Sequence, residues 1–229
     1  MKSLEFENMF NVRDIGGYKC QGNKTIKYNK LIRSDAPKEM SDENIEYLLS
    51  NNIKTEIDLR TEFVTKNHPS TLQLDGRFNY HRVSINYGSQ ETLGTMPTYE
   101  LYMKMCNDTK AFYDVFRLIV DEKDGIYLNC TAGKDRTGMV VAILMLFLGV
   151  DEEDVFHDYE VSAPLIDSKI LKYASTHPGF PTSLGVSNYS DIYEWYALFI
   201  KKYGSAKNYL LSIGLTTDDL NVLKNKFLV

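Results

Sequence analysis

The sequence predicts one α/β domain over residues 1–229, with a central, mostly parallel sheet flanked by helices and a helical C-terminal tail or lid. Three observations predict it. Short apolar runs of strand length at 54–59, 78–85 and 125–129 alternate with longer stretches of helical spacing. From 139 onward every periodic stretch reads as helix. No internal repeat, low-complexity tract or linker rich in Pro, Gly and Ser divides the chain. Strands separated by helices pair in parallel, because the crossover returns each strand in the same direction. At 229 residues and 43% hydrophobic, the chain can bury one large core.

In chain order, 25–28 and 31–34 read as a hairpin around Asn29-Lys30. Ser41 is placed to cap a helix whose Ile45, Leu48 and Leu49 share a face and which ends near Asn51-Asn52. KTEIDL (54–59) reads as a strand, and 78–85 as a weaker one followed by a loop containing Gly88, Gly94 and Pro97. Helices are predicted over 98–106 and 110–122; in the second, Phe112, Val115, Phe116 and Ile119 repeat at helical spacing. A buried strand at 125–129 leads through a polar, Gly-containing turn into an apolar helix at 139–148, stopped by Gly149. Helices follow at 151–162, 165–174, 189–203, 206–213 and 217–227, the last with Thr216 and Asp219 spaced as a capping box. Tyr189, Tyr193, Trp195, Tyr196 and Phe199 read as helix packing.

Composition excludes several classes. Lys plus Arg number 26 against 31 Asp plus Glu, so no basic excess exists to neutralise a nucleic-acid backbone. Three cysteines make no disulfide framework and fit a reducing compartment. The opening MKSLEFENMF has acids at Glu5 and Glu7 and no apolar core, so no cleaved signal peptide is expected. The apolar run at 139–148 falls short of the roughly 20 residues that cross a bilayer, so no integral membrane segment and a cytoplasmic location are expected. His68, His81, His157 and His177 lack paired ligand spacing, and no metal site is expected.

The chemistry concentrates in IYLNCTAGKDRTG, 126–138. A strand ends at Asn129, a loop carries Cys130 to Arg136, and a helix begins there. Such a loop can wrap its backbone N–H groups of Thr131, Ala132, Gly133 and Lys134 around one point, with the positive end of the new helix aimed at the same point. A phosphate dianion fits that cradle, and Arg136 can fork onto two of its oxygens. The same field favours the thiolate of Cys130, the form that attacks as a nucleophile. Gly133 permits close backbone approach, and Thr137 can donate a hydroxyl hydrogen bond to the sulfur, easing its departure. A lone Cys at a strand end is usually a small buried hydrophobe. Cys, Gly and Arg-Thr together between an apolar strand and an apolar helix favour the catalytic reading.

This stretch resembles the signature of the cysteine-dependent phosphatases: Cys, five residues, Arg, then Ser or Thr. More narrowly, the chain is similar to the bacterial tyrosine and phosphoinositide phosphatase family, whose loop reads HC-x-AGKDRTG. Residues 11–18, NVRDIGGY, fit that family's N-terminal motif, and Arg33-Ser34 its Arg-Ser step. Asp58-Leu59-Arg60 fits its strand end, Asp158-Tyr159 with Ser162 its motif after the loop helix, and Tyr203-Gly204 and Tyr209-Leu210 its C-terminal element. The resemblance implies a dual-specificity-like cysteine-phosphatase fold and hydrolysis of phosphomonoesters through a cysteinyl-phosphate. It implies no metal or organic cofactor, and phosphate or vanadate as site ligands. Its substrates would be phosphotyrosine proteins or phosphoinositides, the latter with Lys134 meeting a second phosphate. Two positions depart from the family: Asn129 stands where His usually precedes the nucleophile, and Val64 where a Glu often follows Asp-Leu-Arg. An amide can donate a hydrogen bond but cannot become a cation.

The acid that protonates the leaving group has two candidates. Asp58 ends a strand on the side where parallel sheets gather their sites, or it is a structural carboxylate salt-bridged to Arg60 or Arg33. Asp135 lies inside the loop, where a phosphate dianion requires it to be protonated, turned outward or paired with Lys134; some lipid phosphatases of the wider superfamily use an acid there. Asp108 is a third possibility, otherwise a helix-terminus residue. Lys134 itself is otherwise a solvated turn residue, and Arg13 with Asp14 is expected to form a buried pair. Three other functions compete with a protein-tyrosine phosphatase: a phosphate-binding pseudophosphatase, an inositol-polyphosphate phosphatase and a rhodanese-like sulfur carrier. The last leaves the N-terminal and Asp-Leu-Arg motifs unexplained.

Overall fold

Strand β5 (Leu31–Asp35) and strand β6 (Ile53–Asp58) lie on either side of β8 (Gly125–Cys130), all three parallel, with β7 (Asn79–Arg82) parallel to β6 at the far edge. On the other edge β2 (Arg13–Asp14) and β1 (Lys2–Ser3) add antiparallel. All six residues of β8 are buried, as a central strand covered on both faces requires. This computed structural model describes residues 2–86, 96–176 and 185–229. Gly88, Gly94 and His177 lie outside the described residues.

Side chains alternate along β8. Ile126, Leu128 and Cys130 join the larger core, with Phe112, Val115 and Phe116 of α5 (Thr109–Asp121) and Val140 and Leu144 of α6 (Asp135–Leu148). Tyr127 joins the smaller core on the opposite face, with Ile32, Ile53 and Leu48 of α1 (Asp42–Ser50). Cys130 is thereby aimed from the carboxyl end of the sheet toward the side covered by α6, whereas Asn129 shares the face of Tyr127.

The expected helices form where their caps predict. Ser41 accepts from the Asn44 amide at the start of α1, and Thr216 with Asp219 closes a capping box on α11 (Thr217–Phe227). The strand at 78–85 shortens to β7, and α4 (Thr98–Cys106), α7 (Glu152–Glu160), α8 (Ser162–Thr176), α9 (Tyr189–Tyr203) and α10 (Ala206–Ser212) fill the remaining helical stretches. α9 packs on α4 and α7, burying Ile192, Trp195 and Phe199, so this helix is an integral wall of the larger core. No helix among the described residues is long and apolar enough to cross a membrane.

Four expectations are corrected. The 25–28/31–34 hairpin does not form: Asn29 turns with a φ of 59°, and β5 enters the sheet beside β2 and β8, while β4 (Lys24–Thr25) pairs with β3 (Lys19–Cys20). The apolar run at 31–32 is worth more at the sheet centre than in an isolated pair of strands. α6 begins at Asp135, close to the start at Arg136 that the loop gives and ahead of the 139 that hydrophobic periodicity gives, because its first turn is polar and carries no such periodicity. Two short helices, α2 (Glu62–Asn67) and α3 (Thr71–Asp75), occupy a stretch with no sequence signal. Arg13 does not pair with Asp14: Asp14 accepts from the Gly16 and Asn29 amides, and Arg13 reaches across the fold to Asp158.

Candidate active site

Residues 131–134 form the turn between β8 and α6, and the rest of the fold grips that turn from outside. Asn11 Nδ2 donates to the Ala132 carbonyl at 2.8 Å, and Arg33 Nη2 donates to the Gly133 carbonyl at 2.7 Å and the Lys134 carbonyl at 3.5 Å. In a trans peptide the C=O and the following N–H point in opposite directions. Carbonyls held outward therefore turn the N–H groups of Gly133, Lys134 and Asp135 inward, toward the N-terminal end of α6. Gly133 has a φ of 66°, and a Cβ there would come within 2.4 Å of the Ser34 carbonyl carbon. Only glycine lets the loop lie this close to β5.

The gripping side chains are themselves tied together. Arg13 Nε meets Asp158 Oδ1 at 3.0 Å, its Nη2 donates to Ser162 Oγ at 3.0 Å, and its Nη1 donates to Asn11 Oδ1. Arg33 Nη1 pairs with Asp158 Oδ2. Burial would raise the Asp158 carboxyl, but Arg13 and Arg33 outweigh it and hold the group down at about 2. Burial and the neighbouring Arg13 bring Arg33 down to about 10. One carboxylate thus pairs with two buried guanidiniums, and the N-terminal, Arg-Ser and Asp-Tyr motifs meet the loop at this hub.

Cys130 sits at the end of β8, 2% exposed, opposite Asp35 in the β5 register. Asp35 Oδ1 accepts from the Phe10 and Asn11 amides, each at 3.1 Å, and so anchors the N-terminal segment. Arg136 Nη2 donates to Thr131 Oγ1 at 3.1 Å and its Nη1 to the Leu59 carbonyl at 3.3 Å, which fixes the guanidinium over the loop. The Thr137 hydroxyl is buried with no partner among the described residues. Neither side-chain atom of buried Asn129 has a partner among them either, and its position on the other face of the sheet keeps the amide away from the thiol.

The two candidate acids differ. Asp58 is fully buried, and Arg60 clasps it with Nε at 2.9 and 3.0 Å and Nη2 at 2.6 Å, while the Tyr80 hydroxyl donates at 3.3 Å. Arg33, the other partner considered for it, goes to Asp158 instead. Asp135 keeps 24% of its side chain exposed. Its Oδ1 accepts from the Tyr102 hydroxyl at 2.6 Å and lies 3.3 Å from Lys134 Nζ; Oδ2 has no partner among the described residues. Lys134 is not a solvated turn residue: it is 3% exposed, and Nζ donates to the Val186 carbonyl at 2.7 Å. Asp108 caps α5 by accepting from the Ala111 amide. Tyr102 and the Leu59 carbonyl are the site groups that sequence reasoning missed. Tyr102 lies on the buried face of α4 beside Leu101 and Met105, where it reads as packing, and a backbone carbonyl has no sequence signature.

Cys130, the loop and Arg136 thus stand together between β8 and α6, in the order Cys, five residues, Arg, Thr on which the resemblance rests. The chain matches the tyrosine phosphatase family over residues 4–229 and belongs to it, a family of phosphate-ester hydrolases. A tyrosine-protein phosphatase of Nostoc commune is 29% identical over 218 residues, 87% of this chain and 74% of the relative. A putative tyrosine-protein phosphatase of Cupriavidus necator is 26% identical over 175 residues, 68% of this chain and 61% of that protein. Two crystal structures of P. aeruginosa TpbA, one of them a cysteine-to-serine variant in complex with phosphotyrosine, are 12% identical. Their TM-scores are 0.47 and 0.46, covering 90% and 82% of this chain and 92% and 90% of theirs.

Proposed function

We propose that this tyrosine phosphatase cleaves phosphotyrosine in proteins by two displacements at Cys130. The thiolate attacks phosphorus in line, the inward N–H groups and Arg136 hold the equatorial oxygens, and the tyrosine oxygen departs with a proton from Asp135. Asp135, again a carboxylate, then takes a proton from the water that cleaves the thiophosphate. Thr137 hydrogen-bonds the departing sulfur. The observation that carries this reading is the loop whose Ala132, Gly133 and Lys134 carbonyls are tied outward by Asn11 and Arg33, with Arg136 fixed between Thr131 and Leu59.

Asp135 is the better acid of the two because its side chain is partly exposed and every described partner lies on one oxygen, whereas Asp58 is spent on Arg60. Phosphotyrosine is favoured over a phosphoinositide because Lys134, the cation a second phosphate would need, is buried and directed at Val186 and Asp135. The arginine and the loop amides supply the charge stabilisation, so the reading requires no metal.

The test is hydrolysis of a phosphotyrosyl peptide and of a phosphoinositide, with EDTA and a reductant, in wild type and Cys130→Ser. The expected outcome is metal-independent, vanadate-sensitive turnover of the peptide that Cys130→Ser abolishes while still binding phosphate. Turnover persisting in Cys130→Ser would refute the covalent mechanism, and faster phosphoinositide cleavage would reverse the substrate order.

A further inference from the structure

Tyr102 on α4 is wholly buried, and its hydroxyl makes two short contacts: 2.6 Å to Asp135 Oδ1 and 2.7 Å to the Tyr159 hydroxyl. A phenol has one proton. If Tyr102 donates it to Asp135, the Tyr159 hydroxyl must be the donor in the second contact. The direction is therefore Tyr159 to Tyr102 to Asp135. The two rings meet edge to face with centroids 5.8 Å apart, which fixes both hydroxyls. Burial, and then the Asp135 charge, push the Tyr102 phenol well above its ordinary value, so it stays a donor throughout the working pH range. Lys134 Nζ addresses the same carboxylate oxygen, Oδ1, from 3.3 Å. Every described partner of Asp135 thus lies on Oδ1, and Oδ2 is left for the transferable proton.

We propose that Tyr102, supported by Tyr159, is a positioning residue for general-acid catalysis: it fixes the Asp135 carboxyl so that Oδ2 carries the proton to the leaving oxygen. This rests on Asp135 as the acid, proposed above. Its effect should depend on the leaving group. p-Nitrophenolate leaves with little help, whereas the phenolate of tyrosine requires protonation, so only the second reaction should sense a misplaced acid. The proton transferred from Oδ2 ends on the tyrosine oxygen as the P–O bond breaks, and the Tyr102 proton stays where it is. This separates a positioning role from packing, since a loosened wall would harm both substrates alike.

The experiment compares kcat/KM, which reports the first displacement, for p-nitrophenyl phosphate and a phosphotyrosyl peptide in wild type, Tyr102→Phe, Tyr159→Phe and Asp135→Asn. Thermal midpoints check that each variant is folded. Tyr102→Phe is expected to lose roughly tenfold on the peptide and less than about twofold on p-nitrophenyl phosphate, a fraction of what an acid catalyst contributes. Tyr159→Phe should show the same selectivity with a smaller loss. Asp135→Asn should be selective by more than either. If Asp135→Asn is selective and Tyr102→Phe is equal on both substrates or silent, the positioning role is overturned and the acid assignment stands. If Asp135→Asn shows no selectivity, the acid assignment itself fails, and the positioning role with it.

Discussion

Asp58 and Asp135 are the two candidate acids, yet the fold treats them in opposite ways. Asp58 is enclosed: fully buried, clasped by Arg60 and touched by Tyr80, with its Cα paired to Asn129 in the central register. Asp135 is held on one side only, by Tyr102 and Lys134 on a single oxygen, with a quarter of the side chain in solvent. A carboxylate that must give up and recover a proton needs one oxygen uncommitted. A carboxylate that balances a buried cation needs every lone pair used. Position in the sequence motif does not distinguish the two roles; the count of partners does.

The contrast can be broken with matched substitutions. The largest effect is expected from Asp58→Asn, which strands Arg60 in the interior and should cost about 3–5 kcal/mol of stability in urea unfolding. The folded fraction should keep its preference between good and poor leaving groups. Loss of that preference in Asp58→Asn would move the acid to this corner. Asp135→Asn should instead keep its unfolding midpoint within about 0.5 kcal/mol and lose about a hundredfold in kcat/KM on a phosphotyrosyl peptide. A collapse in stability there would mean Asp135 is structural.

A smaller effect tests the surroundings of Asp58. Glu56, two residues earlier on the same face of β6, is buried, with Oε2 accepting from Ser70 Oγ at 2.7 Å and Oε1 unpartnered among the described residues. Burial, and then the Asp58 charge, raise its carboxyl from 4.5 to about 8. The folded state therefore retains a proton that the unfolded chain releases, and stability should fall as pH rises from about 4.5 to about 8. Glu56→Gln is expected to flatten that slope, measured as urea midpoints at several pH values across the window. An unchanged slope would show that Glu56 is charged in the fold.

Much of the site was legible because its chemistry is local. Cys130, Gly133, Arg136 and Thr137 follow one another within eight residues, so spacing alone brings these four together at the end of one strand. The N-terminal, Arg-Ser and Asp-Tyr motifs were visible too, but not their common purpose: Arg13, Arg33 and Asp158 converge from opposite ends of the chain on one hub behind the loop. Lys134 misled because a Gly-Lys-Asp turn reads as solvated, and nothing in the sequence shows that the Val186 carbonyl arrives to cover it. The hairpin at 25–34 misled for a related reason. Adjacent strand-like runs suit each other locally, but β5 gains more between β2 and β8 than beside its neighbour in sequence.

The sequence by itself determined the α/β class, the caps of α1 and α11, the central apolar strand and the loop it feeds. Each of these depends on residues within a few positions of one another, where periodicity, cap chemistry and helix polarity act directly. Tertiary structure alone decided which aspartate is clasped and which is open, which way the loop carbonyls turn, and that Tyr102 meets Asp135. Those outcomes depend on groups tens of residues apart competing for the same few hydrogen bonds in a space without water. There an unpaired polar group is costly, and each partner that is claimed leaves fewer for the rest.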